Sequence, residues 1–166
     1  MILRELRADD LAAIAAVDGG PAWKTDPALW SDYVADQSAG RRVVLIAAEE
    51  RSAFAYGSLL WESRYAPFRA AEVPEINNLV VAQHARRRGI ATAMIGTFER
   101  YARDRGRKVI GLGVGLYADY GPAQRLYFRM GYIPDGKGIT YKCQLVVPGE
   151  SYPVNDDLIL WLSKKL

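Results

Sequence analysis

The middle of the chain runs from a strand-like segment through an arginine-rich turn into a long helical segment, without a break. Residues 75–81 (EINNLVV) alternate across the two faces of a strand. Residues 89–105 carry apolar side chains at helical spacing up to Gly106, a residue suited to end a helix. Residues 86–88 (RRR) stand at the junction. A strand that leads directly into a helix predicts a protein in which helices cover the faces of a mixed sheet.

The arginine-rich turn marks a predicted anion-binding site. The first turn of a helix has N–H groups without partners and carries the positive end of the helix dipole. Arginines in this position oppose the dipole, so they indicate a strongly anionic ligand. Gly89 lets such a ligand approach the backbone, and Ala91 is small for the same reason. Two other interpretations stay open: a solvated basic patch and a nucleic-acid contact.

The rest of the chain predicts further strands and helices around this unit. A length of 166 residues favours a single domain, 1–166. Residues 62–74 are predicted to be a loop, and residues 132–166 to alternate short strands with turns. The other predicted strands are 2–7, 42–48, 53–61, 108–116 and 157–163, and the other predicted helices are 10–17, a stretch from Pro27, and a stretch from Gly121 to Gly131.

Composition excludes several classes of protein to which this chain could otherwise belong. One cysteine and one histidine cannot supply an internal disulfide or a Cys/His metal cluster, so we expect no metal. No apolar run approaches the ~18 residues needed to span a bilayer. The start of the chain alternates like a strand and unlike a signal peptide, and the net charge of +3 is only mildly basic. We therefore expect a cytoplasmic protein that binds neither membranes nor nucleic acid.

The arginine turn resembles a motif of a known enzyme family. Residues 86–91 (RRRGIA) match the Q/R-x-x-G-x-G/A motif of the GNAT superfamily of N-acetyltransferases, with Ala91 where glycine is usual. The resemblance implies acetyl-CoA as cosubstrate, with its pyrophosphate on the turn and its pantetheine arm along the preceding strand. The implied binding residues here are Leu79, Val80, Val81, Arg86, Arg87, Arg88, Gly89, Ile90 and Ala91. A backbone N–H of Val80 or Val81 is expected to face the thioester oxygen.

A second segment, residues 120–132, resembles the same family. It follows the pattern N-x-x-A-x-x-L-Y-x-x-x-G-F/Y, with Tyr120 where Asn is common. The resemblance places Tyr120 and Ala123 near the cofactor and makes Tyr127 the general acid toward the leaving thiolate. A phenol suits that role, because it can donate a proton as the C–S bond breaks. The residues alone also allow Tyr127 to be a core tyrosine on an apolar helix face.

Glu75, at the start of strand 75–81, is the candidate general base. Acetylation needs a neutral amine, so a carboxylate or a water relay must remove a proton. Some family members, notably the histone acetyltransferases, carry a catalytic glutamate at this register, which implies the role for Glu75. A solvated strand-end carboxylate is an equal alternative, and Glu72 is a neighbouring rival.

These observations predict an acetyl-CoA-dependent N-acetyltransferase that transfers the acetyl group directly to a primary amine of a small molecule. The resemblance implies a mixed α/β fold with a mostly antiparallel central sheet of about six or seven strands and about four helices. The acceptor is expected to contact segments 18–36, 62–74 and 132–156. Gly111, Gly113 and Gly115 provide room for the acetyl group or for close packing.

Some alternatives stay open at this point. Acetylation of protein lysines or N-termini, or CoA sensing without catalysis, would use the same motifs. Exposed late strands make a homodimer plausible, and the motifs are typical of bacterial enzymes.

Overall fold

Eight strands and five α-helices make up the described part of the chain, which is residues 1–17, 26–49 and 52–166 of a computed structural model. The strands are β1 (Ile2–Glu5), β2 (Arg42–Glu49), β3 (Ser52–Leu60), β4 (Glu75–Val81), β5 (Val109–Gly115), β6 (Ile133–Tyr141), β7 (Gln144–Leu145) and β8 (Leu158–Lys165). The helices are α1 (Leu11–Ala15), α2 (Pro27–Ser38), α3 (Ala66–Ala70), α4 (Ile90–Asp104) and α5 (Gly121–Arg129).

The predicted mixed fold with mainly antiparallel strands is confirmed, and the number of strands was underestimated. The pairs β1–β2, β2–β3, β5–β8, β6–β8 and β6–β7 are all antiparallel. Two elements were missed. Helix α3 lies inside the predicted loop, with Pro67 in its first turn. Strand β7 has only two residues, too few for an alternating pattern.

Two compact units divide the chain. One comprises Met1–Leu60 and Ile76–Phe98, and holds strands in the order β1-β2-β3-β4. The other comprises Trp61–Glu75 and Glu99–Leu166, and holds strands in the order β5-β8-β6-β7. We refer to them as the first and the second unit. That residues 1–166 form a single domain remains a prediction.

Apolar side chains from both sheet and helices form the core of the first unit. In β2 and β3, Val44 pairs with Ser58 and Ile46 with Tyr56, and all four side chains are buried. Helix α4 contributes Met94 and Phe98 at the i and i+4 positions of its buried face. Removing these side chains from water is the main favourable term for folding of the unit.

Helix α4 ends as the sequence predicts. Gly106 has φ +72°, its N–H donates to the Arg103 carbonyl at 2.8 Å, and the Arg107 N–H donates to the Ala102 carbonyl at 2.9 Å. This pair of bonds satisfies the last carbonyls of the helix, and the left-handed residue between them is easiest for glycine. Gly131, with φ +87°, follows α5 in the same way.

In the second unit, large side chains fill the space beside the glycine row of β5, which is Gly111, Gly113 and Gly115. A Cβ atom at Gly111 would lie 2.2 Å from the Phe68 ring, and one at Gly115 would lie 2.4 Å from the Tyr120 ring. A Cβ at Gly113 would meet Ile159 at 2.7 Å. The glycines therefore serve close packing, and the space beside them is occupied by side chains of the unit itself.

Candidate active site

Strand β4, which precedes the arginine turn in the first unit, is bent at Asn78. Asn78 has φ +52°, in the left-handed region, although it lies in the middle of β4. The next three residues, Leu79 to Val81, are half-buried. Asparagine is one of the non-glycine residues that tolerate this conformation, but the middle of a strand is an unusual place for it, and the strand departs there from regular geometry.

The backbone of the arginine turn presents unpaired N–H groups. The first bond of α4 runs from the Ala93 N–H to the Gly89 carbonyl at 3.0 Å, so the N–H groups from Gly89 through Thr92 have no acceptor within the helix. Arg87 and Gly89 both have positive φ, at +63° and +76°. Left-handed residues in such a turn direct successive N–H groups into a concavity that binds anions.

Gly89 is needed for its conformation and not for packing. A Cβ atom added there would meet nothing within 4 Å. The space beside the free N–H groups is therefore open, as a bound phosphate requires. Ile90 is buried and anchors the start of the helix, while Ala91 is half-buried. These features fit the pyrophosphate of acetyl-CoA.

The three arginines of the turn differ in their contacts, although all three are exposed. Arg86 donates from Nε to the Val81 carbonyl at 3.2 Å, which ties the turn to the end of β4. The Arg88 guanidinium lies 5.8 Å from the centre of the Phe54 ring. Arg87 has neither kind of contact among the described residues, and its guanidinium is the one most available to an anion.

Tyr127 lies in the second unit, on the buried face of α5. It is 8% exposed, and its ring lies 6.3 Å from that of Tyr132. Within the described ranges its hydroxyl has no hydrogen-bond partner. Burial raises the pKa of Tyr127 to about 12, because the charged phenolate is poorly solvated there. Tyr127 therefore stays protonated at neutral pH and can donate a proton.

Tyr120 is held by packing and by the carboxylate of Asp156. Its ring fills the space above Gly115, and its hydroxyl donates to Asp156 Oδ1 at 2.9 Å. Tyr117 bonds the same carboxylate oxygen. Ala123, half-buried in the first turns of α5, precedes Gln124, whose amide donates to the Gly115 carbonyl at 2.8 Å. The start of α5 is thus fastened to the end of β5.

Glu75 is buried, so the alternative of a solvated strand-end carboxylate is wrong. It is 4% exposed, and Ser63 Oγ donates to its Oε2 at 2.5 Å. Ser63 Oγ also accepts from the Tyr65 N–H at 3.0 Å, which fixes the hydroxyl rotor toward the carboxylate. The rival Glu72 is exposed and forms a surface ion pair with Arg107 at 2.8 Å. Of these two candidates, Glu75 is the buried one, and the Ser63 hydroxyl orients its carboxylate.

The single cysteine lies at the turn between β6 and β7. Lys142 and Cys143 both have positive φ, which is typical of a two-residue hairpin turn. Cys143 is half-buried, and burial raises the pKa of its thiol.

Three further observations concern the acceptor segment, metal ligands and membrane-spanning helices. Of the acceptor segment 18–36, residues 18–25 lie outside the described residues. In the ranges that are described, no group of three or more Asp, Glu, His or Cys side chains is placed to hold a metal ion. Nor does any helix in those ranges combine the length and the apolar character that crossing a bilayer requires.

Sequence comparison gives one family match. The model of the "Acetyltransferase (GNAT) family" matches residues 7–132, which include the arginine turn and Tyr127. A search among curated proteins finds no match.

Comparison with solved structures identifies many similar folds. A GNAT-family protein from Desulfovibrio desulfuricans has a TM-score of 0.74 at 14% identity, over 99% of this chain and 98% of that one. The ribosomal-protein-alanine N-acetyltransferase from Brucella melitensis has a TM-score of 0.72 at 20% identity, over 100% of both chains. PaiA N-acetyltransferase from Thermoplasma acidophilum, solved with coenzyme A, has a TM-score of 0.69 at 12% identity, over 99% and 98%.

Proposed function

The chain belongs to the GNAT family of acetyltransferases, and from this premise we propose that it transfers the acetyl group of acetyl-CoA to a primary amine of a small molecule. The observation that supports the proposal most is the arginine turn. Its unpaired N–H groups, its two left-handed residues and the open space beside Gly89 suit a pyrophosphate. Arg87 would add a charge-assisted bond to the same group.

The residues of the turn and of β4 would hold the cosubstrate. Acetyl-CoA supplies the acetyl group as a thioester, which an amine can attack. We propose that Leu79, Val80 and Val81 contact the pantetheine arm through their backbone, with an N–H of Val80 or Val81 toward the thioester oxygen. Tyr120 and Ala123 are proposed to lie beside the cofactor at the start of α5.

Two side chains would move the protons of the reaction. Glu75, oriented by Ser63, is proposed to take the proton of the attacking amine, directly or through a water molecule. Tyr127 is proposed to give its proton to the sulfur as the C–S bond breaks. The amine nitrogen then carries the acetyl group, and CoA leaves as the thiol. Cys143 takes no part in this scheme, because the acetyl group passes directly to the amine.

The proposal extends to the setting of the enzyme. We propose a cytoplasmic protein without a metal, and a homodimer that uses the exposed late strands. Ile133 and Leu145 are large apolar side chains that these strands expose. Burial of such side chains against a second copy would favour association.

Calorimetric titration with acetyl-CoA and CoA, followed by thiol release against a panel of acceptors, tests the proposal. The panel contains small primary amines, a peptide with a free N-terminus and a lysine peptide. We expect binding of both cosubstrates, and thiol release with a small amine. Release only with a peptide would assign the chain to protein acetylation. Binding without release on any acceptor would indicate a CoA sensor, and absence of binding would refute the proposal.

A matched pair of variants locates the binding. Gly89→Val places a β-branched residue at φ +76°, which that residue type strongly disfavours, and fills the open space beside the N–H groups. Gly96→Val adds the same side chain to an exposed position of α4 with open space around it. We expect Gly89→Val to lose CoA binding and Gly96→Val to keep it. Equal affinities would show that the turn does not bind the cosubstrate.

A further inference from the structure

The left-handed bend of β4 at Asn78 is held by side chains from two other elements of the first unit. Tyr33, on α2, is buried, and its hydroxyl accepts a hydrogen bond from the Asn78 side-chain amide. Its ring packs edge-on against Trp30, with the centroids 5.1 Å apart. The Tyr33 hydroxyl that bonds Asn78 is therefore carried on a buried and packed ring.

The residue before the bend, Asn77, is held by a serine of β3. Ser58, on β3, donates from its hydroxyl to the Asn77 carbonyl at 3.2 Å. Arg42, on β2, donates from Nη1 to the Ser58 oxygen at 2.8 Å, which leaves the serine proton for Asn77. Arg42 is 8% exposed and Ser58 is 0% exposed, so neither bond is weakened by water.

Arg42 also contacts two residues of α2, Tyr33 and Asp36. Its guanidinium lies 3.9 Å from the centre of the Tyr33 ring, a cation–π distance, and its Nε lies 3.6 Å from Asp36 Oδ2 on α2. The polar cluster of Tyr33, Arg42 and Ser58 thus contacts two consecutive residues of β4. Within the cluster, Arg42 contacts both other members. A buried charge is costly unless its surroundings compensate for it, and the Tyr33 ring, Ser58 and Asp36 do so for Arg42.

We propose that Tyr33, Arg42 and Ser58 are positioning residues, which hold β4 bent at Asn78 so that the backbone of Leu79 to Val81 is presented to the pantetheine arm of acetyl-CoA. The inference rests on the proposed function, because it takes the cosubstrate to lie along these three residues. It adds that cofactor affinity depends on side chains of α2, β2 and β3 that do not touch the cofactor.

Two tyrosines of the first unit provide a matched test. Tyr33 and Tyr56 are both buried and both pack edge-on against Trp30, at 5.1 and 5.0 Å. The Tyr56 hydroxyl is buried without a partner among the described residues, whereas the Tyr33 hydroxyl bonds Asn78. Tyr33→Phe and Tyr56→Phe therefore remove the same group from similar surroundings, and only the first change frees β4.

The measurements are CoA affinity by calorimetry and hydrogen exchange at the amides of Leu79 to Val81. For Tyr33→Phe we expect about three- to tenfold weaker binding, the range for one lost hydrogen bond, and faster exchange. For Tyr56→Phe we expect neither change. Equal affinities and equal exchange in the two variants would overturn the inference.

Variants at Asn78 separate the bond from the backbone conformation. Asn78→Gly accepts φ +52° without strain but lacks the amide, so we expect the same loss of affinity as in Tyr33→Phe. Asn78→Asp can accept a hydrogen bond from the Tyr33 hydroxyl and should restore part of the affinity. Full affinity in Asn78→Gly would overturn the inference.

Failure of the proposed function has a different signature. A wild-type chain that binds no CoA would contradict that function and the cofactor part of this inference. The exchange rates at Leu79 to Val81 would still differ between Tyr33→Phe and Tyr56→Phe if the polar cluster holds the bend.

Discussion

Tyr127, the proposed general acid, is a buried phenol whose hydroxyl has no partner among the described residues, so we expect its removal to affect catalysis more than stability. We expect Tyr127→Phe to lower kcat by about 10²-fold or more, the contribution of a positioned general acid, with little change in acetyl-CoA affinity. Burial holds the pKa of Tyr127 near 12, so wild-type kcat should show no loss from this group up to pH 10. Steady-state rates from pH 7 to pH 10 measure both effects.

Tyr132 serves as the control for that change. Its hydroxyl donates to the buried Glu99 at 3.1 Å, so Tyr132→Phe should lower the melting temperature and leave kcat unchanged. Tyr127→Phe should leave the melting temperature nearly unchanged, since it breaks no hydrogen bond within the described chain. A Tyr127→Phe enzyme with full kcat would refute the acid role.

Glu75 is the proposed general base for the attacking amine. A carboxylate base must be ionised to act, so activity that depends on it falls on the acidic side of the pH profile. We expect Glu75→Gln to lower kcat/KM by about 10²-fold or more and to remove that acidic limb. Glu72→Gln, a change at the exposed neighbour, should leave both unaltered. An unaltered profile in Glu75→Gln would exclude Glu75 as the base.

At the scale of elements, the glycine row makes β5 sensitive to a single added carbon. Gly111→Ala would drive its Cβ to 2.2 Å from the Phe68 ring, and we expect the free energy of unfolding to fall by about 1–3 kcal/mol. Gly121→Ala, at the start of α5, has open space and should be neutral or slightly stabilising. Urea titration of both variants measures the difference. A Gly111→Ala chain as stable as Gly121→Ala would show that the Phe68 ring moves freely.

Local sequence signals predicted the long elements whose ends carry a glycine or a proline. Helix α4 has many apolar positions at one spacing and ends before Gly106, and α5 begins at Gly121 and Pro122. Short elements carry too few residues for a periodic signal, which is why α3 and β7 were missed. Strand β6 lies in segment 132–166, for which short strands and turns were predicted without bounds, and its pairing with β8 is irregular between Pro134 and Ile139.

The candidate site was predictable where its chemistry is local. The turn of residues 86–91 needs only adjacent residues, and the resemblance to the family pointed to Tyr127 and Glu75. The hydrogen-bond partners of Glu75 and Tyr120 lie far from them along the chain. Ser63 precedes Glu75 by twelve residues, and Asp156 follows Tyr120 by thirty-six. The bend at Asn78 was not predicted, because the alternation of residues 75–81 indicates a regular strand and outweighed the tolerance of asparagine for the left-handed region.

At the scale of the whole molecule, buried tyrosines predict loss of stability in alkali. Burial is the first cause of a raised pKa for Tyr56, Tyr65, Tyr120, Tyr127 and Tyr132. A phenol in the unfolded chain ionises near pH 10, while the folded chain holds its proton to higher pH, about 12 for Tyr127. Stability is therefore fully present below pH 10 and falls as the pH rises from there through the folded pKa values.

Urea unfolding at a series of pH values from 8 to 11.5 tests this prediction. Each tyrosine that ionises only on unfolding should leave the free energy of unfolding nearly unchanged at pH 8–9 and lower it by about 1.4 kcal/mol per pH unit above pH 10. Tyr127→Phe should show a shallower decline than the wild type, because one of the linked protons is gone. A free energy of unfolding that stays constant up to pH 11.5 would contradict the burial of these hydroxyls.

The lone thiol of Cys143 makes the chain convenient for colorimetric work. A reagent that reacts with free thiols can register at most one equivalent per protein molecule from the protein itself. Because burial raises the pKa of this thiol, little of it is thiolate at neutral pH, and its reaction should be slow. CoA released over several turnovers would exceed that fixed background. Product formation can thus be followed continuously in the unmodified protein, without first replacing its cysteine.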